Sequence, residues 1–120
     1  MANILIVDDS ASMRNMVTTT LQSKGHQVIS ANDGQQALDQ AKKNTFDAVV
    51  TDLNMPVMDG ITLVKNLRGI PSYKYIPILL LTTESSADKK TAGKQAGATG
   101  WLVKPFDPEK LLTTIDRVLN

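Results

Sequence analysis

Charged and hydroxyl-bearing side chains follow four short apolar runs of this 120-residue chain. They are Asp8 and Asp9 after ILIV, Asp52 after AVVT, Thr82 and Thr83 after ILLL, and Lys104 after WLV. Carboxylates about 4 Å apart repel by roughly 4 kcal/mol at an effective dielectric of 20, so such a cluster takes up a proton or binds a cation. Carboxylate oxygens without His or Cys beside them favour Mg²⁺ or Mn²⁺ over zinc. A bound cation would let an anionic phosphoryl group approach.

The apolar runs are typical of buried parallel strands. The run ILIV, the pair Val49–Val50 and ILLL are apolar on both faces, as expected for strands covered by helices on each side. Five strands are predicted, at Ile4 to Val7, Gln27 to Ala31, Ala48 to Thr51, Ile76 to Leu81 and Thr99 to Val103.

Helices with recognisable ends separate these runs. The first follows Ser10 and Ser12, carries an apolar face and stops at Lys24 and Gly25. Its apolar face consists of Met13, Met16, Val17 and Leu21. Asp33 and Asp59 precede the second and third helices, with Ile61, Val64 and Leu67 facing inward in the third. Asp107 with Pro108 is an N-cap followed by proline at the first helical position of the last helix.

The fourth helix, predicted from Ser85 to Ala96, differs from the others. Its only apolar residues are three alanines, and it carries Lys89, Lys90 and Lys94. It is therefore expected to bury little surface.

Strand and helix alternate about five times, which predicts an α/β fold with right-handed crossovers and a doubly wound parallel sheet. A chain of this length is expected to form one domain, residues 1–120. In an open parallel sheet, ligands bind at the carboxyl ends of the strands. The carboxylates, the hydroxyl group and the ammonium group named above should therefore meet at one edge.

Composition narrows the function classes. No cysteine is present, which excludes disulfides, thiolate metal sites and cysteine nucleophiles, and the cytoplasm is the expected location. The first residues show no export or membrane signal. With 13 basic and 12 acidic residues, the chain has no basic excess typical of nucleic-acid binding. We expect no nucleic-acid or membrane partner.

Four motifs at four strand ends, LIVDDS, TDLNMPVMDG, LTTES and GWLVKPF, resemble the receiver domain of two-component response regulators over essentially the whole chain. The resemblance is strongest to single-domain chemotaxis receivers of the CheY type. It implies a flavodoxin-like or CheY-like sheet with strand order 2-1-3-4-5 and helices on both faces.

The resemblance also implies roles for individual residues. Asp52 attacks a phosphorus atom and becomes an aspartyl phosphate, a nucleophilic role available to carboxylates. Asp9, Asp52 and the backbone carbonyl of Asn54 ligate Mg²⁺, with Asp8 acting through water. Asn54 and Glu84 flank the path of the water that hydrolyses the phosphoryl group.

Three further residues belong to the predicted response. Lys104 pairs with the phosphoryl oxygens, and Thr82 hydrogen-bonds to one of them once it is attached. Trp101, where chemotaxis members often have Tyr, turns inward as the threonine moves. Thr82 and Trp101 would bias a surface formed by the fourth helix, the fifth strand and the last helix.

The expected function is that of a monomeric phosphoacceptor rather than an enzyme, with Mg²⁺-dependent self-phosphorylation from donors and slow self-dephosphorylation. The expected partners are a CheA-like histidine kinase and, as output, a flagellar motor switch protein or another signalling protein. The basic fourth helix leaves motor binding open, and a phosphate sink or a regulator of another kinase is the alternative.

Simpler interpretations exist for single residues. Asp8 could cap the first helix, Lys104 could be a surface lysine, and Trp101 could be structural. His26 is interpreted as a surface residue at the opposite edge, and Gly93–Lys94 lacks the rest of a phosphate-binding loop motif.

Two other function classes share parts of the pattern. A haloacid-dehalogenase-type phosphatase needs a second aspartate two residues after its nucleophile, where this chain has Asn54. A flavodoxin-like FMN binder would meet three carboxylates that repel the flavin phosphate.

Overall fold

A computed structural model describes residues 2–83, 87–104 and 107–119. Glu84, to which the family resemblance gives a role in hydrolysis, lies outside the described residues, as do Ser85 and Ser86 at the predicted start of the fourth helix.

Five parallel strands form one sheet in the order β2-β1-β3-β4-β5, which confirms the predicted topology. The strands are β1 (Asn3–Val7), β2 (Gln27–Ala31), β3 (Ala48–Thr51), β4 (Ile78–Thr82) and β5 (Gly100–Val103). The three central strands are buried along almost their whole length, because helices cover both faces.

In the described residues, five α-helices and one short 3₁₀ helix accompany the strands, and the last helix follows the last strand. They are α1 (Ala11–Gln22), α2 (Gly34–Lys43), α3 (Gly60–Arg68), the 3₁₀ helix (Pro71–Tyr73), α4 (Ala87–Ala96) and α5 (Pro108–Leu119). Asp33, Asp59 and Asp107 accept backbone N–H bonds from the first turns of α2, α3 and α5, which confirms the N-cap predicted for Asp107. Within the described ranges, no helix is long and apolar enough to cross a membrane.

Some predicted boundaries and orientations are wrong. β4 begins at Ile78 rather than Ile76, because Pro77 has no N–H to donate to a ladder. α1 ends at Gln22, before Lys24. The predicted apolar face of α1 includes Met16, but this residue is 49% exposed, because the buried stripe of that helix consists of Val17 and Leu21.

Alternate residues of each central strand point to two separate cores. Ile4 and Ile6 of β1 belong to the core under α1 and α5, whereas Leu5 and Val7 belong to the core under α2, α3 and α4. The sheet is thus covered on both sides, and only its edges can expose functional groups.

Arg68 joins the elements at the amino edge of the sheet. From the last turn of α3, its guanidinium donates to the carbonyl oxygens of Tyr73, Ile76 and Gly97 at 2.7 to 3.0 Å. It also donates to Oγ1 of Thr99 at 3.3 Å. Burial lowers the pKa of Arg68 from its usual value. These bonds connect α3 to the segments before β4 and β5.

Tyr73, from the 3₁₀ helix, performs a similar task on α2. Its side chain is buried, and its hydroxyl lies 2.8 Å from the carbonyl oxygen of Ala41 and 2.6 Å from that of Asn44. The C-terminal end of α2 is therefore held by a residue about thirty positions further along the chain.

We expect Arg68→Met to lower the free energy of unfolding by about 3 kcal/mol, because several carbonyl groups lose a charged donor at once. Lys65→Met, on an exposed position of the same helix, should change it by less than about 0.5 kcal/mol. Urea unfolding followed by far-UV circular dichroism checks both. Equal stability of the two variants would show that the Arg68 bonds contribute nothing net.

Candidate functional site

The backbone of the sheet continues one residue beyond each of three strand ends, and each extra residue carries a charge. The N–H of Asp8 donates to the carbonyl of Ala31 in β2, and that of Asp52 to Val7 in β1. The N–H of Lys104 donates to Thr82 in β4 at 2.7 Å. The parallel register therefore fixes where these side chains start.

Three carboxylates meet at this edge. Asp8, Asp9 and Asp52 each offer one oxygen within 4.8 Å of the others. Asp8 and Asp52 are only 3% and 7% exposed, whereas Asp9 is open to solvent. Buried carboxylates at this separation repel one another unless a cation or proton intervenes. The structure thus brings together the three acidic residues predicted from the sequence.

Lys104 supplies the positive charge beside this cluster. Its Nζ lies 3.3 Å from Oδ2 of Asp8 and 3.6 Å from Oδ1 of Asp52. Its side chain is 17% exposed, so the ion pairs are largely shielded from water. Lys104 is therefore a member of the cluster and not an isolated surface lysine.

The surroundings of Asp52 raise the pKa of its carboxyl group above the ordinary value. Burial raises the pKa of Asp52 first, and the charges of Asp8 and Asp9 raise it further. Lys104 and the N–H of Leu53, which donates to Oδ1 at 2.8 Å, pull the pKa of Asp52 down. Repulsion and desolvation together affect the pKa of Asp52 more than the ammonium group does. A further positive charge at the cluster would therefore stabilise the ionised carboxylates.

Asp8 does not cap α1. Ser10 is the N-cap, and its Oγ accepts the N–H of Met13 at 3.3 Å. Asp8 instead accepts the N–H of Ser10 on one oxygen and faces Lys104 with the other. Arg14 donates to the backbone carbonyl of Asp8 at 2.6 Å, which leaves the Asp8 carboxylate in the cluster.

The remaining predicted residues lie on or next to β3, β4 and β5. Thr82 is fully buried at the end of β4, whereas Thr83 is exposed. Trp101 lies half-buried in β5, paired with Leu80, and Gly93 of α4 packs on its ring. Asn54 is exposed in the loop after Asp52.

His26 and Gly93–Lys94 take no part in this edge. The N–H of Ala2 donates to Nδ1 of His26 at 3.2 Å, at the amino end of β2. Gly93 is buried inside α4. Both placements agree with the sequence analysis.

The loop from Leu53 to Asp59, which we call the β3–α3 loop, is packed more tightly than the sequence indicated. The N–H of Gly60 donates to the carbonyl of Leu53, which closes the loop. A Cβ on Gly60 would lie 2.3 Å from the carbonyl oxygen of Asp52. Glycine is therefore required where α3 begins, because its backbone touches the site.

Val57, in the middle of this loop, is strained. Its φ is 71°, and the N–H of Met58 donates to the carbonyl of Pro56 across it at 2.7 Å, the pattern of a γ-turn. A β-branched residue there costs about 1–3 kcal/mol. The side chain is 81% exposed. Sequence reasoning missed Val57, because nothing in the residue type indicates a positive φ.

The family profile of the response regulator receiver domain matches residues 4–116. The chain belongs to this receiver family. The receiver is 42% identical over 118 residues to the chemotaxis protein CheY-3 of Vibrio cholerae, covering 98% of this chain and 91% of the relative. The crystal structure of CheY4 from the same species matches with a TM-score of 0.95 and 56% identity, and 98% of each chain is covered.

A third relative bears on the metal. The receiver domain of the sensor histidine kinase PA1611 from Pseudomonas aeruginosa, solved with magnesium in its active-site cleft, matches with a TM-score of 0.91 and 29% identity. The alignment covers 98% of this chain and 97% of that one. In this receiver, the donor atoms at the cluster are all oxygens, and negative charge around Asp52 exceeds the positive charge beside it. Both features fit a hard divalent cation.

We expect Gly60→Ala to lower the free energy of unfolding by about 2–3 kcal/mol, because its Cβ would meet backbone that cannot move aside without displacing Asp52. Gly69→Ala, at the other end of α3, is the control, since a Cβ there meets its closest atom at 3.4 Å and φ is −76°. That variant should be neutral or slightly stabilised in urea unfolding. A tolerated Gly60→Ala would contradict the tight packing.

Proposed function

We propose that this receiver is the phosphoacceptor of a two-component signalling pathway and that Asp52 carries the phosphoryl group. One observation supports this more than any other. Asp52 is a nearly buried carboxylate with an ammonium group 3.6 Å away and two further carboxylates beside it. A carboxylate held beside an ammonium group can act as a nucleophile towards phosphorus. The two further carboxylates can hold a cation that screens the charge of an incoming phosphoryl group.

The proposed transfer is a single displacement. An oxygen of Asp52 forms a bond to phosphorus, and the bond between phosphorus and an imidazole nitrogen of the donor breaks. The electron pair of that bond stays on the nitrogen, and a proton on the other ring nitrogen of the phosphohistidine lets the donor leave as a neutral imidazole, so no proton is needed from the receiver. Lys104 pairs with an equatorial oxygen, and the N–H of Leu53 holds the Asp52 carboxylate in place.

Mg²⁺ would be held by Asp9, Asp52 and the backbone carbonyl of Asn54, with Asp8 acting through water. When bound, the ion neutralises negative charge that the phosphoryl group and the carboxylates share. The receiver's own task is to hold its carboxylates close before the donor arrives, which the sheet register does.

The output is proposed to be protein binding in chemotaxis, downstream of a histidine kinase. Similarity to the chemotaxis proteins supports this over a phosphate sink. The flagellar motor switch is the first candidate partner. Asn54, which occupies the position of the second phosphatase aspartate, argues against phosphate-ester turnover.

We expect the wild-type protein to gain one phosphoryl group from acetyl phosphate with Mg²⁺ and Asp52→Asn to gain none, since an amide is a poor nucleophile. Intact-protein mass spectrometry measures the adduct. Asp47→Asn is the matched control, an exposed carboxylate away from the cluster, and should react like wild type.

Removal of Mg²⁺ with EDTA should suppress phosphorylation of the wild type by acetyl phosphate. Equal uptake by Asp52→Asn, or calorimetry that shows no Mg²⁺ binding, would overturn the proposed function.

Phosphorylation should also change the fluorescence of Trp101, which is the only tryptophan. Its ring packs against Gly93 of α4, so a shift of α4 or of the ring alters its exposure. We expect a change in emission or acrylamide quenching on addition of acetyl phosphate and Mg²⁺, and a smaller one in Thr82→Ala. Unchanged emission and quenching in a protein phosphorylated to completion would contradict the switch.

A further inference from the structure

Val57 combines two features that do not stabilise the isolated receiver. Val57 is a β-branched residue with a φ of 71°, and its apolar side chain is 81% exposed. Asn, Asp or Gly would occupy this turn with less strain. The isolated fold therefore has no use for valine at this position.

The turn that carries Val57 is held firmly on both sides. Pro56 precedes it with a fixed φ. Met58 follows, and a Cβ on Gly34 would lie 2.7 Å from the Cβ of Met58, so loop and α2 are in close contact. Nδ2 of Asn66 lies 3.5 Å from Sδ of Met58. The valine side chain is thus presented to solvent from an anchored turn.

The position of this side chain restricts what can contact it. Val57 lies three residues before Gly60, whose backbone touches Asp52, and three residues span at most about 11 Å. In the same loop, the exposed residues Asn54 and Asp59 are polar, and the exposed Pro56 is apolar like Val57. Two large exposed apolar side chains of the described residues lie at the carboxyl edge of the sheet, Val57 in the β3–α3 loop and Val103 at the end of β5, and Val57 is the more exposed of the two.

We propose that Val57 is a specificity-determining contact for the phosphodonor: it packs against an apolar patch next to the phosphohistidine of the kinase. This rests on the proposed function, because a protein that delivers a phosphoryl group to Asp52 must cover this edge. An output partner can bind elsewhere, whereas the donor cannot. An apolar side chain held in place before binding loses little freedom in the complex.

The test compares a protein donor with a small one. The protein donor is the phosphorylated histidine domain of a chemotaxis kinase that phosphorylates the wild type, and the small donor is acetyl phosphate with Mg²⁺. The variants are Val57→Asn and Val57→Gly, which suit a positive φ and remove the apolar contact. Val57→Ile is the matched control that keeps it.

With the protein donor, we expect the Asn and Gly variants to lose about tenfold in transfer rate at low receiver concentration, which corresponds to about 1.4 kcal/mol of lost contact. The maximal rate at saturating receiver should stay unchanged. With acetyl phosphate, all three variants should react at the wild-type rate. Val57→Asn and Val57→Gly should also unfold at a higher urea concentration than wild type, because they remove the backbone strain of a β-branched residue at a positive φ.

Wild-type transfer from the protein donor to both Val57→Asn and Val57→Gly would overturn the proposal. An equal loss with both donors would overturn it as well, since the effect would then come from a displaced Asp52. Failure of the proposed function has a different signature, namely phosphorylation of Asp52→Asn by acetyl phosphate.

Discussion

Repulsion among three carboxylates at one sheet edge is the constraint on which the site depends. Two of them are nearly buried, and the ammonium group of Lys104 faces them. Side-chain attraction alone could not assemble such a group, because each added negative charge raises the energy of the others. Backbone hydrogen bonds that extend the sheet past β1, β3 and β5 hold Asp8, Asp52 and Lys104 in position regardless of their charges. The site is therefore formed before any cation or phosphoryl group binds.

Close backbone packing also fixes the conformation of the β3–α3 loop. Gly60 brings the start of α3 against Asp52, and Gly34 brings α2 against Met58. With both ends so confined, the loop reverses through a turn in which Val57 takes a positive φ. The strain is thus a local consequence of fixing the nucleophile on one side and two helices on the other.

Strand positions, helix caps and the residues gathered at the carboxyl edge could be predicted from the sequence, because they depend on local patterns and on one topological rule. Features that depend on tertiary contacts could not. Tyr73 and Arg68 satisfy carbonyl groups of elements distant in sequence, and no periodicity indicates this. Met16 has the right residue type and roughly the right spacing for a buried face, yet α1 needs only Val17 and Leu21 to cover the sheet. The backbone angle of Val57 likewise follows from packing and not from residue type.

The apolar surface that each helix buries indicates which helix can move most easily when the site changes. α2 and α3 each bury at least one leucine against the sheet, and α5 buries Leu111 and Ile115. α4 buries only Gly93 and Ala96, so moving it exposes the least apolar surface. Because Gly93 lies on the ring of Trp101, a displacement of this weakly held helix and a rotation of the indole require the same space. Packing between Gly93 and the indole therefore links the position of α4 to that of Trp101.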